Sequence, residues 1–268
     1  MSKSAVIGWH WPAITFNPRY TGWLASWISP LALLLAWVLV CRAQWFPEQI
    51  LVSPQDVADS ARDLWSSGDL QDALRVSLYR LALGFSLGSL LGIAAGALLA
   101  HSETARIYFS PTFNALRQVP TLALTPLFIL IFGIGETLKI VIILKATFFP
   151  VAIATREGVR SIPRQYLEVG EAYCLSSWQQ FRRIIFPATV PAVLTGIRIA
   201  LGRSWMILVA VELLAADSGI GQIMEMGRQM LRIDQVMVGV FLTGLSGFSL
   251  DRSLRLLERW LLRWRHQG

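Results

Sequence analysis

The sequence predicts an all-α membrane protein of six transmembrane helices with two short helices in one polar loop. Three observations lead there. Hydrophobic residues make up 54% of the 268 residues and charged ones only 15%, a balance of polytopic membrane proteins rather than soluble domains. The apolar residues gather in runs, and the length allows about six crossings at roughly 20 residues each. Arginines collect in one long loop and at the C-terminus, whereas acids collect in a linker near residue 60.

Taken in order, the first span covers about Leu24 to Val40 and ends at Cys41-Arg42, leaving residues 1–23 as a cytoplasmic N-terminal segment. Lys3 precedes no clean apolar run before Pro12 and Pro18, so a cleavable signal peptide is not expected and the span stays in the mature chain. The linker from Ala43 to Asp72 sets Glu48, Asp56, Asp59, Asp63, Asp69 and Asp72 against a single Arg62, which places it outside the cytoplasm. Within it, Ser53-Pro54 followed by Asp56 marks the capped start of a short helix at the outer interface.

A core of five further spans follows over residues 73–255. The second, about Leu74 to Ala100, carries Gly84, Gly88, Gly92 and Gly96, one small residue per turn along a single ridge. Such a ridge lets another helix approach closely. The third span runs to Phe132, preceded by Arg117 and interrupted by Pro120 and Pro126, and closes in the tight turn Gly133-Ile134-Gly135-Glu136. The fourth covers about Leu138 to Ala154. The fifth starts near Pro187 or Pro191 and reaches about Ala215, and a second Gly-Ile-Gly, Gly219 to Gly221, sits in the loop beyond it. The sixth runs from about Gln235 to Leu250, and residues 256–268 form a basic tail. Six spans put both termini on one side, so the tail and the loop from Arg156 to Arg183 both face the cytoplasm.

The net charge of +7 is explained by lipid headgroups and the positive-inside rule, and nucleic acid is not an expected partner. Cys41 and Cys174 lie far apart, and His10, His101 and His266 are scattered, so neither a disulfide nor a metal site is expected. The same dispersal leaves no cluster for a membrane enzyme. A channel or secondary transporter would show inverted repeats, whereas both Gly-Ile-Gly turns lie on the outer side.

The polar loop holds the sharpest signal. Pro163 and Ser176-Ser177 divide it into stretches of about Arg164 to Tyr173 and Trp178 to Ile185, two short helices making a knob that can fill a groove on a partner. Its residues resemble the signature of importer permeases of the ATP-binding-cassette superfamily: Glu-Ala-Ala, three residues, Gly, nine residues, Ile-x-Leu-Pro. Glu168 takes the glutamate, Cys174 the glycine, and Ile184, Phe186 and Pro187 the closing residues, without a gap. The register starting at Glu171-Ala172 leaves the proline out of step. Val169 and Gly170 stand where the signature has alanines, and Gly170 weakens the first helix by roughly 1 kcal/mol relative to Ala. Cys174 is the serious departure, because a glycine of positive φ escapes a steric cost that cysteine bears.

Further blocks are similar to the sulfonate, taurine and nitrate branch of that family: Ser77-Leu78-Tyr79-Arg80, Arg117-Gln118-Val119-Pro120, Phe132-Gly133-Ile134-Gly135, Phe148-Phe149-Pro150, and Thr195-Gly196-Ile197-Arg198 with Glu212. The resemblance implies a type I importer permease fold in the bacterial inner membrane. It also implies a homodimer of permeases carrying two cytoplasmic ATP-binding-cassette subunits and fed by a periplasmic binding protein. Its solute would be an alkanesulfonate or taurine, with nitrate, bicarbonate or a heterocyclic precursor as alternatives. The only lysines, Lys3, Lys139 and Lys145, lack a glycine-rich phosphate loop, so ATP and its Mg²⁺ belong to the partner ATPase and no cofactor is expected here. Glu168, Val169, Gly170, Glu171, Cys174, Leu175, Ile184, Phe186 and Pro187 are the expected coupling residues. Ionisable groups within spans mark pathways or buried pairs. Lys145, Arg198, Arg203 and Glu212 are of this kind, with Arg203, Glu212 and Lys145 the pathway candidates.

Overall fold

The computed structural model describes residues 22–47 and 51–263, apart from the side chains of residues 22–27. The expectations for the N-terminal segment and for the last residues of the tail lie outside the described residues. Every regular element among the described residues is helical.

The described residues divide after Pro54 into two compact units. In the first, α1 (Gly22–Arg42) continues through Pro30. Its Leu31, Leu33, Leu34, Leu35 and Leu39 are exposed, as suits a helix facing lipid. The Trp37 indole N–H donates to the Val52 carbonyl at 3.2 Å, which folds the following chain back on the helix.

The second unit is built on α3 (Asp69–His101), α6 (Glu136–Arg160), α9 (Phe186–Ala215) and α11 (Ile233–Leu261). The helical segments that contain these four are long and apolar enough to cross a membrane. Ahead of them, α2 (Pro54–Ser66) starts with its proline in the first turn, as Ser53-Pro54 suggests. The glycine ridge of α3 lies against α6. A Cβ on Gly88 would come within 2.7 Å of the Leu144 carbonyl oxygen and 2.8 Å of Thr147 Cβ, and one on Gly92 within 2.8 Å of the Phe148 carbonyl oxygen. The order of partners, Ile143 for Gly84 and Thr155 for Gly96, rises along both helices, so α3 and α6 are parallel. α9 is antiparallel to α6, since Thr147 bonds Ser204 at 2.7 Å and Gly158 packs on Ala192 and Thr189. α11 is antiparallel to α9, because Trp205 donates to the Thr243 carbonyl and Arg198 pairs with Glu258.

The third expected span departs most from expectation. Two parallel helices need a return crossing between them, and the chain makes it in two pieces: α4 (Glu103–Gln118), then a 3₁₀ turn at Leu122–Leu124 and α5 (Thr125–Phe132), bent by 86°. Pro120 causes the break, because it lacks an N–H and drives Val119 to an extended ψ of 118°. Ser102 caps α4 by accepting from the Ala105 amide at 3.1 Å.

The rest of the chain is α7 (Arg164–Ala172), α8 (Ser177–Gln180) with a π turn at Phe181–Ile185, and α10 (Ile220–Gln229). α10 occupies a stretch that the sequence assigns to the loop after the fifth span. α11 continues through Leu261, past the Leu250 end expected for the sixth span. Below, the end of the unit bearing α7 and α8 is the knob end and the opposite one the far end.

Gly88→Val forces Cβ and Cγ atoms into the α6 backbone and should destabilise the protein by about 1–3 kcal/mol. Gly244, with open space around it, should accept alanine at no cost, because helix propensity favours the change. Thermal unfolding of the two purified variants tests the contrast.

Candidate functional site

Polar chemistry concentrates in three places. The first is a buried cluster at the far end. Arg80 of α3 has no exposed side-chain surface and uses all five guanidinium donors. Nε gives to Glu136 Oε2 at 2.7 Å and Nη2 to Glu136 Oε1 at 2.5 Å. Nη1 gives to Glu212 Oε1 and to the Ser218 carbonyl, each at 2.7 Å, and Nη2 gives to Ser218 Oγ at 2.7 Å. Glu212 also accepts from Ser77 Oγ at 2.9 Å and from the Gly221 amide at 3.1 Å, and the Ile220 amide gives to Ser77 Oγ. Buried charge is tolerable when every group is paired, and here four elements meet on one arginine. Gly219 makes room for it: its φ is +110°, and a Cβ would strike the Glu212 carboxylate. Lys139 closes the edge, 3.3 Å from Glu136.

Glu212 is therefore bound within its own chain, at the far end. Arg80 and Glu136 were missed as site residues, although Arg80 is an ionisable side chain inside an apolar run, the signal that singled out Glu212.

The second place surrounds the break between α4 and α5. Lys145 gives to the Val119 carbonyl at 2.9 Å and to Thr121 Oγ1 at 3.4 Å, with its ammonium 5.5 Å from the Phe149 ring centroid. All its partners are neutral. A cleft of about 1180 Å³ lies near α6 and α9, walled by Pro150, Glu157 and Gly196 and reaching Arg183. Arg203 lines it, is exposed, and has no ion pair or hydrogen bond among the described residues. Arg198 differs, being paired with Glu258 at 3.0 Å. The structure thus separates the three pathway candidates: Glu212 is neutralised, Lys145 braces a break, and Arg203 faces open space.

The third place is the knob. α7 ends in a Schellman turn, with the Leu175 amide giving to the Gly170 carbonyl at 3.0 Å and the Cys174 amide to the Glu171 carbonyl at 2.8 Å. Cys174 has φ +51°, so this cysteine occupies a left-handed position that favours glycine. Ser176 and Gln179 form a capping box over α8, and Gln180 Nε2 bonds the Leu167 carbonyl at 3.1 Å. Gly170 is buried, and a Cβ there would lie 2.9 Å from Ile184 Cδ1, which explains why the helix tolerates a glycine. Pro187, with no amide hydrogen, follows a π turn in which the Phe186 amide reaches back to Phe181. Leu175 and Ile184 are half-buried within the knob, whereas Glu168, Glu171, Val169 and Phe186 are exposed. Tyr173 (77% exposed) and Trp178 (68%) stand out beside them, and Trp178 stacks on Phe181 at 5.7 Å.

A helical unit with four helices long and apolar enough to cross a membrane, a buried charge cluster at one end and an exposed aromatic knob at the other has the architecture of a polytopic membrane protein. Residues 88–263 match the family described as binding-protein-dependent transport system inner membrane component, and the chain belongs to that family. Among similar proteins, the aliphatic sulfonates transport permease SsuC of Bacillus subtilis (strain 168) is 37% identical, covering 92% of this chain and 90% of that one. The taurine transport system permease protein TauC of Escherichia coli (strain K12) is 34% identical over 96% and 94%. The nitrate import permease protein NrtB of a Synechocystis strain is 31% identical over 86% of each. The fold is that of importer permeases: a chain of an amino acid ABC transporter aligns at TM-score 0.59 and 15% identity, over 74% of this chain and 96% of its own length. A chain of the MetNI methionine ABC transporter aligns at 0.54 and 22%, over 68% and 92%.

Arg80→Met leaves Glu212 buried without its cation and should cost about 3–5 kcal/mol. Arg80→Met combined with Glu212→Leu should cost clearly less, and unfolding midpoints of the two variants give the comparison. Cys174→Gly should stabilise the protein by about 1 kcal/mol by removing the left-handed penalty. An unchanged or lower midpoint for it would show that the cysteine side chain has compensating contacts.

Proposed function

We propose that this chain is the permease subunit of an ATP-driven importer for a small anionic solute, an aliphatic sulfonate or taurine. Two copies form the pathway, a periplasmic binding protein delivers the solute, and two cytoplasmic ATPase subunits seat on the knobs. Both termini and the knob are on the cytoplasmic side, in keeping with the arginines at Arg156, Arg160, Arg164, Arg182 and Arg183. The observation that carries the reading is the knob itself. Val169, Tyr173, Trp178 and Phe186 are exposed on it, as is Glu168, which has no ion pair or hydrogen bond among the described residues. An apolar surface of that kind on a polar loop is what a docked partner covers.

Coupling follows from continuity. The knob runs through the π turn into α9, a helix of 30 residues and about 45 Å. Closure of the ATPase pair moves the knob, and α9 moves with it. Glu168 meets a basic group or helix amides of the ATPase, and Glu171, Leu175, Ile184 and Pro187 hold the knob's shape. In the pathway, Arg203 meets the anion in the cleft, and Lys145, whose partners are all neutral, adds positive potential beside the break. A nitrate solute is the second reading, favoured by the likeness to NrtB.

Reconstitution with the ATPase and the binding protein tests both parts. Glu168→Arg should abolish ATPase co-purification and uptake of taurine or ethanesulfonate together. Arg203→Gln should leave assembly intact and raise the half-saturating solute concentration about tenfold or more. Normal uptake by Glu168→Arg overturns the docking role, and an unaltered solute dependence in Arg203→Gln overturns the pathway role.

A further inference from the structure

α11 is longer than an apolar crossing requires. Its 29 residues make a rod of about 43 Å, against a hydrocarbon core of about 30 Å and about 40–45 Å with both headgroup layers. A helix of that length reaches headgroup level at each end. Its last turns lie at the knob end, because Glu258 pairs with Arg198 and Leu262 lines the same cleft as Tyr166 and Arg183.

The arginines here divide into two kinds. Arg255 is held by Asp251 at 2.6 Å. Arg252, Arg259 and Arg263 are exposed and have no ion pair or hydrogen bond among the described residues. Arg252 and Arg259 are seven residues apart and share one edge of the helix to within about 20° at 100° per residue. Arg263 follows in the turn that closes it. Glu258 and Leu262 sit on the side turned to the cleft. On the other side of the arginine edge, Leu256 (53% exposed) and Trp260 (61%) are uncovered. Guanidinium groups next to an apolar strip with a tryptophan suit the boundary between phosphates and acyl chains.

We propose that this edge of α11 binds the phosphate headgroup of an anionic phospholipid, with Leu256 and Trp260 against its acyl chains. Arg252, nearest the hydrocarbon, extends its side chain toward the phosphates, and Arg259 and Arg263 stand among them. A planar guanidinium takes a phosphate through two parallel hydrogen bonds. Arg255 is excluded because Asp251 already occupies it.

The test uses the full chain in nanodiscs of equal palmitoyl-oleoyl phosphatidylglycerol and phosphatidylcholine, extracted into a neutral detergent, with retained lipid counted by mass spectrometry. The wild type should retain phosphatidylglycerol several-fold over phosphatidylcholine, less so as salt is raised. At about a tenfold loss per 1.4 kcal/mol and about 1 kcal/mol for each arginine at an anionic surface, R252Q/R259Q/R263Q should bind phosphatidylglycerol about a hundredfold more weakly. Arg255→Gln should leave retention unchanged, and R252K/R259K/R263K should keep most of it. Undiminished selectivity in the glutamine triple variant overturns the proposal. So does unchanged lipid retention with loss of ATPase co-purification, which would assign the edge to a protein partner.

Discussion

How closely α3 can approach α6 governs the rest of the core. Four glycines at one-turn intervals remove the side chains that would hold the two backbones apart, and carbonyl and Cβ atoms of α6 fill the space. In lipid no hydrophobic force drives helices together, so dense packing of this kind must carry association. The ridge also fixes direction. Because contacts rise in step along both helices, α3 and α6 are parallel, and the chain between them has to recross the layer. The broken pair α4 and α5 is the consequence, with Pro120 setting the bend and Lys145 bonding the carbonyl and hydroxyl at the break. A non-helical stretch at this depth is tolerated when protein groups satisfy its backbone.

Close approach at the ridge then places Arg80 one turn before Gly84, where it meets Glu136 at the start of α6 and Glu212 near the end of α9. A buried guanidinium is costly, and it persists here because every donor has an acceptor. The cluster also specifies geometry. Ser218 and the Ile220 and Gly221 amides close on the Arg80, Ser77 and Glu212 side chains, so the entry to α10 is fixed by the same atoms that join α3, α6 and α9. Gly219 is required twice, once for its positive φ and once because the carboxylate occupies the space a Cβ would need.

What the sequence made legible follows from the strength of each local signal. The glycine ridge, the proline at the start of α2 and the proline-serine punctuation of the knob are short-range patterns with one physical reading, and they recur in the structure. α10 escaped because it is only ten residues long and opens on a Gly-Ile-Gly that reads as a turn. The bend after α4 escaped because Pro120 and Pro126 also fit a kinked continuous span. Arg80 was legible as an ionisable side chain inside an apolar run, but its pairing was not. Its partners are 56 and 132 positions away, and no local pattern encodes a contact across that distance. Cys174 shows the reverse case: the register, set by the glutamate and the proline, puts a cysteine where the signature has glycine, and the residue at that position has a left-handed φ.

The knob and the buried cluster are the two ends of one element. α9 starts directly from the π turn at Phe181–Ile185 and carries Glu212 near its other end. The knob is itself cross-braced by the Gln180 bond to Leu167, the capping box and the Gly170–Ile184 contact, so it cannot absorb a push by deforming locally at little cost. The compliant points are the π turn and the prolines at 187 and 191, where helical hydrogen bonds are lost. A displacement entering at the knob is therefore either taken up there as a bend or carried along α9 to Glu212. At that end Arg80 bonds Glu212 together with Glu136 and Ser218, so α9 cannot shift without moving α6 and the entry to α10. One arginine thus joins the helix that leaves the knob to the loop that closes the far end. That placement makes the cost of a fully buried ion pair intelligible in a helix rich in glycine, leucine and alanine.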